Sequence, residues 1–151
     1  MLDRLLKQSS TFFVAWLVIH TMIAEADQIV VQIEGASDKG KIHLALCDSE
    51  SNYKEVVQDD GDPFKSTIVK SKEDGITYVF ENVKPGNYAL LAYHDENSNG
   101  KFDKKLWPLE KYGFSQNIQV KFRAPRWKEV RFEVESKAKT LKVKLFHYSL
   151  F

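Results

Sequence analysis

Beyond residue 26 this chain repeats one rhythm, with apolar side chains at every second position in several separate short runs. Ile29, Val31 and Ile33 alternate with Val30, Gln32 and Glu34; Ile42, Leu44 and Leu46 repeat the pattern; Ile76, Tyr78 and Phe80 do so again. Only a β-strand puts every second residue on one face, so each run predicts a strand with one buried side. Further runs are a short strand around Ile68, a strand from Tyr88 to His94, and the alternations Ile118-Val120-Phe122, Val130-Phe132-Val134 and Leu141-Val143-Leu145. No stretch holds a helical period over three turns. About seven short strands in roughly 120 residues, with turn residues between them, predict an all-β, antiparallel two-sheet sandwich of Ig-like or related type.

The punctuation fits that grammar. Gly35 to Gly40 reads as a turn, as does Lys72-Glu73-Asp74-Gly75, and Lys84-Pro85-Gly86-Asn87 places Pro and Gly at the centre of a type II turn. Asp48 to Asp62 is acidic and aperiodic, a long loop with one helical turn expected around Tyr53 to Val57. With 43% hydrophobic and 13% aromatic residues, the chain can fill a core without disulfides. Cys47 is the only cysteine, so no internal bridge can form. Its strand position reads as a small buried hydrophobe.

The first 26 residues follow another logic. Arg4 and Lys7 give a basic start, Thr11 to Ile23 is a mostly apolar run, and Ala24-Glu25-Ala26 offers small residues where a signal peptidase reads. The run carries His20 and Thr21, ends in Glu25, and falls short of the ~20 apolar residues of a spanning helix. We therefore expect a Sec-type signal peptide cleaved after Ala26, no stable membrane insertion afterwards, and a single domain over residues 27–151 that is periplasmic or secreted. An uncleaved membrane anchor is the alternative.

One loop has the spacing of an ion site. Asp95-Glu96-Asn97-Ser98-Asn99-Gly100-Lys101-Phe102-Asp103 fits D-x-N-x-N-G-x-x-D, the first nine positions of a calcium loop. Ca²⁺ takes six to eight oxygens, alternate side chains can turn inward together, and Gly at the sixth position permits the sharp bend. Asp95, Asn97, Asn99 and Asp103 would be side-chain ligands and Lys101 a backbone one. The twelfth position, normally a bidentate Glu, is Leu106, so a weak Ca²⁺ site is the most the pattern supports; Glu110 could supply a carboxylate if the chain folds back. The competing reading is a tight turn whose Asp, Asn and Ser side chains cap their own backbone. A strand rather than a helix precedes the loop, which excludes an EF-hand architecture.

Four motifs in the stretch from Val83 to Asn117 go further: Pro85-Gly86-x-Tyr88, His94-Asp95-x-Asn97-x-Asn99-Gly100-x-x-Asp103, Pro108-x-Glu110 and Tyr112-Gly113-Phe114-Ser115. On these, and on looser matches flanking them, the chain resembles the bacterial domain-of-unknown-function family 2141, small exported proteins. Its linker between Asp103 and Pro108 is shorter than the family pattern and lacks the usual Gly. The resemblance implies a sandwich like those of transthyretin and the carboxypeptidase regulatory domain, and no established activity.

Catalytic signatures are missing from the sequence. There is no G-x-S-x-G, no H-E-x-x-H, no Gly-rich phosphate loop and no Cys or His pair at metal spacing. The histidines beyond the leader are His43, His94 and His147; His94, beside the loop, is the one candidate acid/base for a hydrolase on a transthyretin-like scaffold. The ending Tyr148-Ser149-Leu150-Phe151 differs from the Tyr-Arg-Gly-Ser of the hydrolases of that fold. The leading expectation is a non-enzymatic module with no catalytic or cofactor-binding residues, its partner an unknown protein or envelope component. Nine basic residues against three acidic ones between Lys121 and Lys144 raise a further alternative, an electrostatic binder of envelope polyanions. Yet Lys142 and Lys144 alternate with core positions as a solvent face should, and nucleic acid is not expected as a partner. Trp107, Tyr112, Phe114 and Trp127 either plug one end of the sandwich or line a shallow site.

Overall fold

A computed structural model describes residues 27–104, 109–120 and 123–147. The leader over residues 1–26, Lys105, Leu106, Trp107, Pro108, Lys121, Phe122 and the ending Tyr148-Ser149-Leu150-Phe151 lie outside the described residues. Among the described residues eight strands form two sheets: β1 (Ile29–Glu34), β2 (Lys41–Cys47), β3 (Lys65–Lys70), β4 (Ile76–Phe80), β5 (Gly86–Asp95), β6 (Tyr112–Phe114), β7 (Phe132–Val134) and β8 (Lys139–Lys144). The smaller sheet runs β4-β1-β8; the larger runs β3-β2-β5-β6, with β7 paired to the start of β5. The predicted all-β sandwich is the observed fold. All pairings but one are antiparallel; β1 and β8 run parallel, which the long connection between them allows.

Alternation decides which side of each strand is buried. In the small sheet Val31 sits between Tyr78 and Leu141, and Ile33 between Ile76 and Val143. In the large sheet Ile42, Leu44 and Leu46 stand opposite His94, Ala92 and Leu90. These two inner faces meet in one core with Val83, Tyr88, Phe132 and Val134. Each fully buried Ile, Leu or Val there contributes about 1.5–3 kcal/mol relative to exposure.

A second, smaller cluster lies on the outer face of the large sheet. It joins Cys47, Tyr53, Ala89, Phe114 and Val130, with Val56, Leu91 and Trp127 against it. Its cover is α1 (Glu50–Val57), a full helix where the sequence suggested one turn. Ser49 caps α1 by accepting from the Asn52 N–H, and Tyr53, Val56 and Val57 share its apolar side. The Tyr53 hydroxyl donates to the Pro125 carbonyl at 2.8 Å, tying α1 to the segment before α2 (Trp127–Val130).

Three local expectations are corrected. Ile118 and Val120 are in no strand, because Gln116 and Asn117 adopt left-handed φ of 67° and 52°, and the Asn117 side chain bonds the backbone of Lys142 and Lys144 where a strand would pair with β8. Val130 ends α2 rather than starting β7. The Pro85-Gly86 connection is not a type II turn: Gly86 opens β5, and the left-handed residue is Asn82 at φ 55°.

Candidate functional site: the Asp95 loop and the cleft beside it

β5 delivers two consecutive polar residues to opposite faces of the large sheet. His94 points inward opposite Ile42, is 1% exposed, and its Nε2 donates to the Lys39 carbonyl at 2.6 Å. It is a packed core residue. Asp95 points the other way and is equally buried, because the loop it starts folds over it.

The carboxylate of Asp95 organises that loop. Its oxygens accept the N–H of Asn99 at 3.0 Å and of Gly100 at 2.9 Å, and the His43 Nε2 lies at 3.3 Å. Burial alone would raise this carboxyl, but the Gly100 and Asn99 N–H groups and the His43 ring outweigh it, and its pKa falls below the ordinary value. His43 stacks on Tyr93, its cross-strand neighbour, at 4.4 Å. Burial lowers the His43 pKa more than Asp95 raises it, so the pair at neutral pH is a hydrogen bond from a neutral ring to a carboxylate. Gly100 is required by its φ of +77° alone, since a Cβ there would meet nothing within 4 Å.

The remaining predicted ligands are brought together further out. The Asn97 and Asn99 side-chain amides donate to the Asp103 carboxylate at 2.7 and 3.0 Å, and the Lys101 N–H donates to Asn99 Oδ1 at 2.8 Å. Asp95, Asn97 and Asn99 therefore also cap backbone N–H groups, as the competing turn reading requires. Glu110 does fold back: its Oε2 accepts the Asp103 N–H at 3.0 Å, while its buried Oε1 makes no hydrogen bond of ordinary geometry, the Glu96 N–H lying near the carboxylate without completing one. Burial first, and the charges of Asp103 and Asp95 after it, raise the Glu110 pKa against the pull of the Asp103 and Glu96 N–H groups. Among the described residues no three His, Cys, Asp or Glu side chains form a ready metal cluster. The loop's oxygen set is carboxylate and amide, the hard donor type that suits Ca²⁺, Mg²⁺ or Mn²⁺ rather than a softer metal.

Next to the loop, on the same outer face, lies a cleft of about 640 Å³. Ala45 and Leu91 form its floor, Val56 and Val57 of α1 one wall, Ile68 of edge strand β3 another. An aromatic row, Tyr93–Phe102–Tyr112–Phe114, follows with ring centroids 5.3, 6.1 and 5.9 Å apart. Tyr112 and Phe114 thus line a cleft, whereas Trp127 packs on Tyr53 at 5.9 Å. Sequence reasoning misses His43, Tyr93 and Phe102 as members of this site; only the register, which sets His43 beside Tyr93 and diagonal to Asp95, assembles them.

The Tyr112-Gly113-Phe114-Ser115 motif has a structural cause. A Cβ on Gly113 would sit 2.8 Å from the Lys144 carbonyl, so β6 can approach β8 closely only with glycine there. Ser115 accepts the Leu90 N–H and donates to the Val130 carbonyl, joining β5 to α2. A family model described as an uncharacterized protein conserved in bacteria (DUF2141) matches residues 31–142, which include all of these motifs. The chain belongs to that family. Within DUF2141, then, the Asp95 loop, Gly113 and Ser115 of this chain sit inside the matched span. No curated protein and no solved structure matches the chain. Among the described residues no helix is long and apolar enough to cross a membrane.

Proposed function

We propose that this DUF2141 protein is an exported, non-enzymatic module of the bacterial envelope whose Asp95–Asp103 loop binds Ca²⁺ weakly. The observation that carries the cation is Glu110. A buried carboxylate oxygen that makes no hydrogen bond of ordinary geometry, the Glu96 N–H near it giving only a partial pull, costs free energy beside a loop already holding Asp95 and Asp103, and a cation would offset that cost. Asp95, Asn97, Asn99 and Asp103, the Lys101 carbonyl and Glu110 would supply the oxygens, Glu110 standing in for the carboxylate missing at position 106. Binding requires the Asn97 and Asn99 amides to release Asp103, which keeps the affinity low. The dissociation constants of extracellular calcium modules, about 10⁻⁴–10⁻³ M, are the appropriate scale.

Thermal melts of the purified protein in EDTA and in 10 mM Ca²⁺ test this. At a dissociation constant of about 1 mM, mass action adds about 1.4 kcal/mol, a rise of about 4 °C in midpoint. An unchanged midpoint removes the cation. Export is tested separately: the N-terminus of the protein recovered from bacterial envelope fractions should begin at Asp27.

A further inference from the structure

A groove of about 530 Å³, lined by β7, β8 and the Gln116-Asn117 turn, shares no residue with the Asp95 loop. It holds three cations, Arg131, Lys139 and Lys142, against one carboxylate, Glu133. Among the described residues none of these four makes an ion pair, although the exposed cations Lys54, Lys104 and Arg123 each have a carboxylate partner. Their charged ends are free while their backbone roots are fixed. The Arg131 N–H donates to the Trp127 carbonyl at 2.8 Å, and the Arg131 carbonyl accepts the Gln116 amide at 3.2 Å. The Lys139 N–H donates to the Gln28 carbonyl at 2.9 Å, and the Lys142 carbonyl accepts the Asn117 amide at 3.0 Å. Gln116 and Asn117 make these bonds from the left-handed region, a conformation that costs free energy and persists here because the bonds hold it.

We infer that this groove binds an anionic polysaccharide, with sulfate or carboxylate groups at Arg131, Lys139 and Lys142 and sugar hydroxyls at the Asn87 amide and the Thr140 hydroxyl. Three unpaired cations against one carboxylate select the sign of the ligand. The Asn87 and Thr140 side chains line the groove and make no hydrogen bond among the described residues, so both are open to a hydroxyl-rich chain. The apolar residues of the lining decide against other anions. Phe132 and Leu141 are only 4% and 9% exposed, which leaves no face for an acyl chain to lie on or a nucleobase to stack on. An acidic peptide adding as a strand to β8 is barred by Asn117, whose side chain already takes the Lys142 carbonyl and, at 2.8 Å, the Lys144 N–H.

Calorimetric titration of the purified protein in EDTA, with the Asp95 loop kept free of metal, tests this. The probes are a heparin hexasaccharide, hexagalacturonate, maltohexaose and hexathymidylate, which separate sulfate-bearing, carboxylate-bearing and uncharged sugars from a nucleic acid. At least one charged sugar should bind one to one, and maltohexaose should not bind. Arg131→Gln and Lys142→Gln should each weaken that sugar about threefold and the double variant about tenfold, while Glu133→Gln tightens it about threefold. All three positions are exposed, so the variants keep the fold. Lys72→Gln removes the same charge from an exposed turn outside the groove and should leave binding unchanged. Absence of saturable binding by either charged sugar, or equal binding of maltohexaose, would overturn the inference. So would a loss in Lys72→Gln equal to that in Lys142→Gln, which would assign binding to net charge. Hexathymidylate binding as tightly as the sugars would overturn it in favour of a nucleic acid.

Discussion

The two faces of the large sheet share strands β2 and β5 and have opposite uses. On the inner face Ile42, Leu44, Leu46 and Leu90 are each at most 1% exposed and meet the other sheet. On the outer face His43, Ala45, Leu91 and Tyr93 are half-buried, covered by α1 at one end and left as a cleft wall at the other. The inner face has one task, the exclusion of water, and any apolar side chains of suitable volume perform it. The outer face carries the polar residues whose geometry is particular, Asp95 above all. Adjacent positions on one strand therefore answer to different constraints, and substitutions one residue apart should behave differently.

Leu44→Ala should have the largest effect. A fully buried leucine cut to alanine leaves a cavity and costs about 2–5 kcal/mol, read as a lower midpoint in denaturant with little change in slope. Ala45→Gly, the next residue on the exposed-facing side, should cost about 1 kcal/mol or less. Equal losses at the two positions would mean that the outer face is packed as the inner one is.

Asp95→Asn comes next. It keeps the shape but removes the charge that two backbone N–H groups and His43 bind, a loss of about 1–3 kcal/mol. The pH dependence has a definite sign. Because the folded pKa of Asp95 lies below its unfolded value, its stabilisation is complete above the unfolded value of about 3.9 and disappears as pH falls through the folded one. The difference in stability between parent and variant should therefore narrow only in strong acid. A difference that instead narrowed between pH 7 and 5 would assign the effect to another group.

The inner face is legible in the sequence and the outer face is not, for a physical reason. Alternation in Ile42-Leu44-Leu46 and Leu141-Val143-Leu145 records burial directly, so strands and core follow from period two. Strand β6 has only three residues, and Val120 has the right rhythm in the wrong place, because left-handed Gln116 and Asn117 redirect the chain there. Helix α1 exceeds the single turn its sequence suggests, although Ser49 and the Tyr53-Val56-Val57 spacing mark it. At the loop, part of the grouping shows in the sequence: Asn97 and Asn99 gather on Asp103, while Asp95 takes the Asn99 and Gly100 N–H groups instead. What stays hidden is what register creates, namely His43 against Asp95 and the aromatic row from Tyr93 to Phe114.

Glu110→Gln is the smallest of these effects and the one that opposes the rest, since it should stabilise. In the metal-free protein at neutral pH, Glu110 holds a buried negative charge near Asp103 and Asp95, with one oxygen making no hydrogen bond of ordinary geometry. Glutamine keeps an acceptor for the Asp103 N–H and removes the charge, which should raise stability by about 1 kcal/mol in EDTA. The sign of the pH dependence is the reverse of that at Asp95. The folded pKa of Glu110 is raised, so its ionised form penalises the fold above that pKa, and the penalty is relieved as acid protonates it. The advantage of Glu110→Gln should accordingly shrink on mild acidification, well before the Asp95 contribution begins to fail. In Ca²⁺ the order should invert, because the cation offsets the charge that glutamine lacks. Melting parent and variant with and without Ca²⁺ reads both effects, and a variant no more stable than the parent in EDTA would show that the buried oxygen of Glu110 is already satisfied.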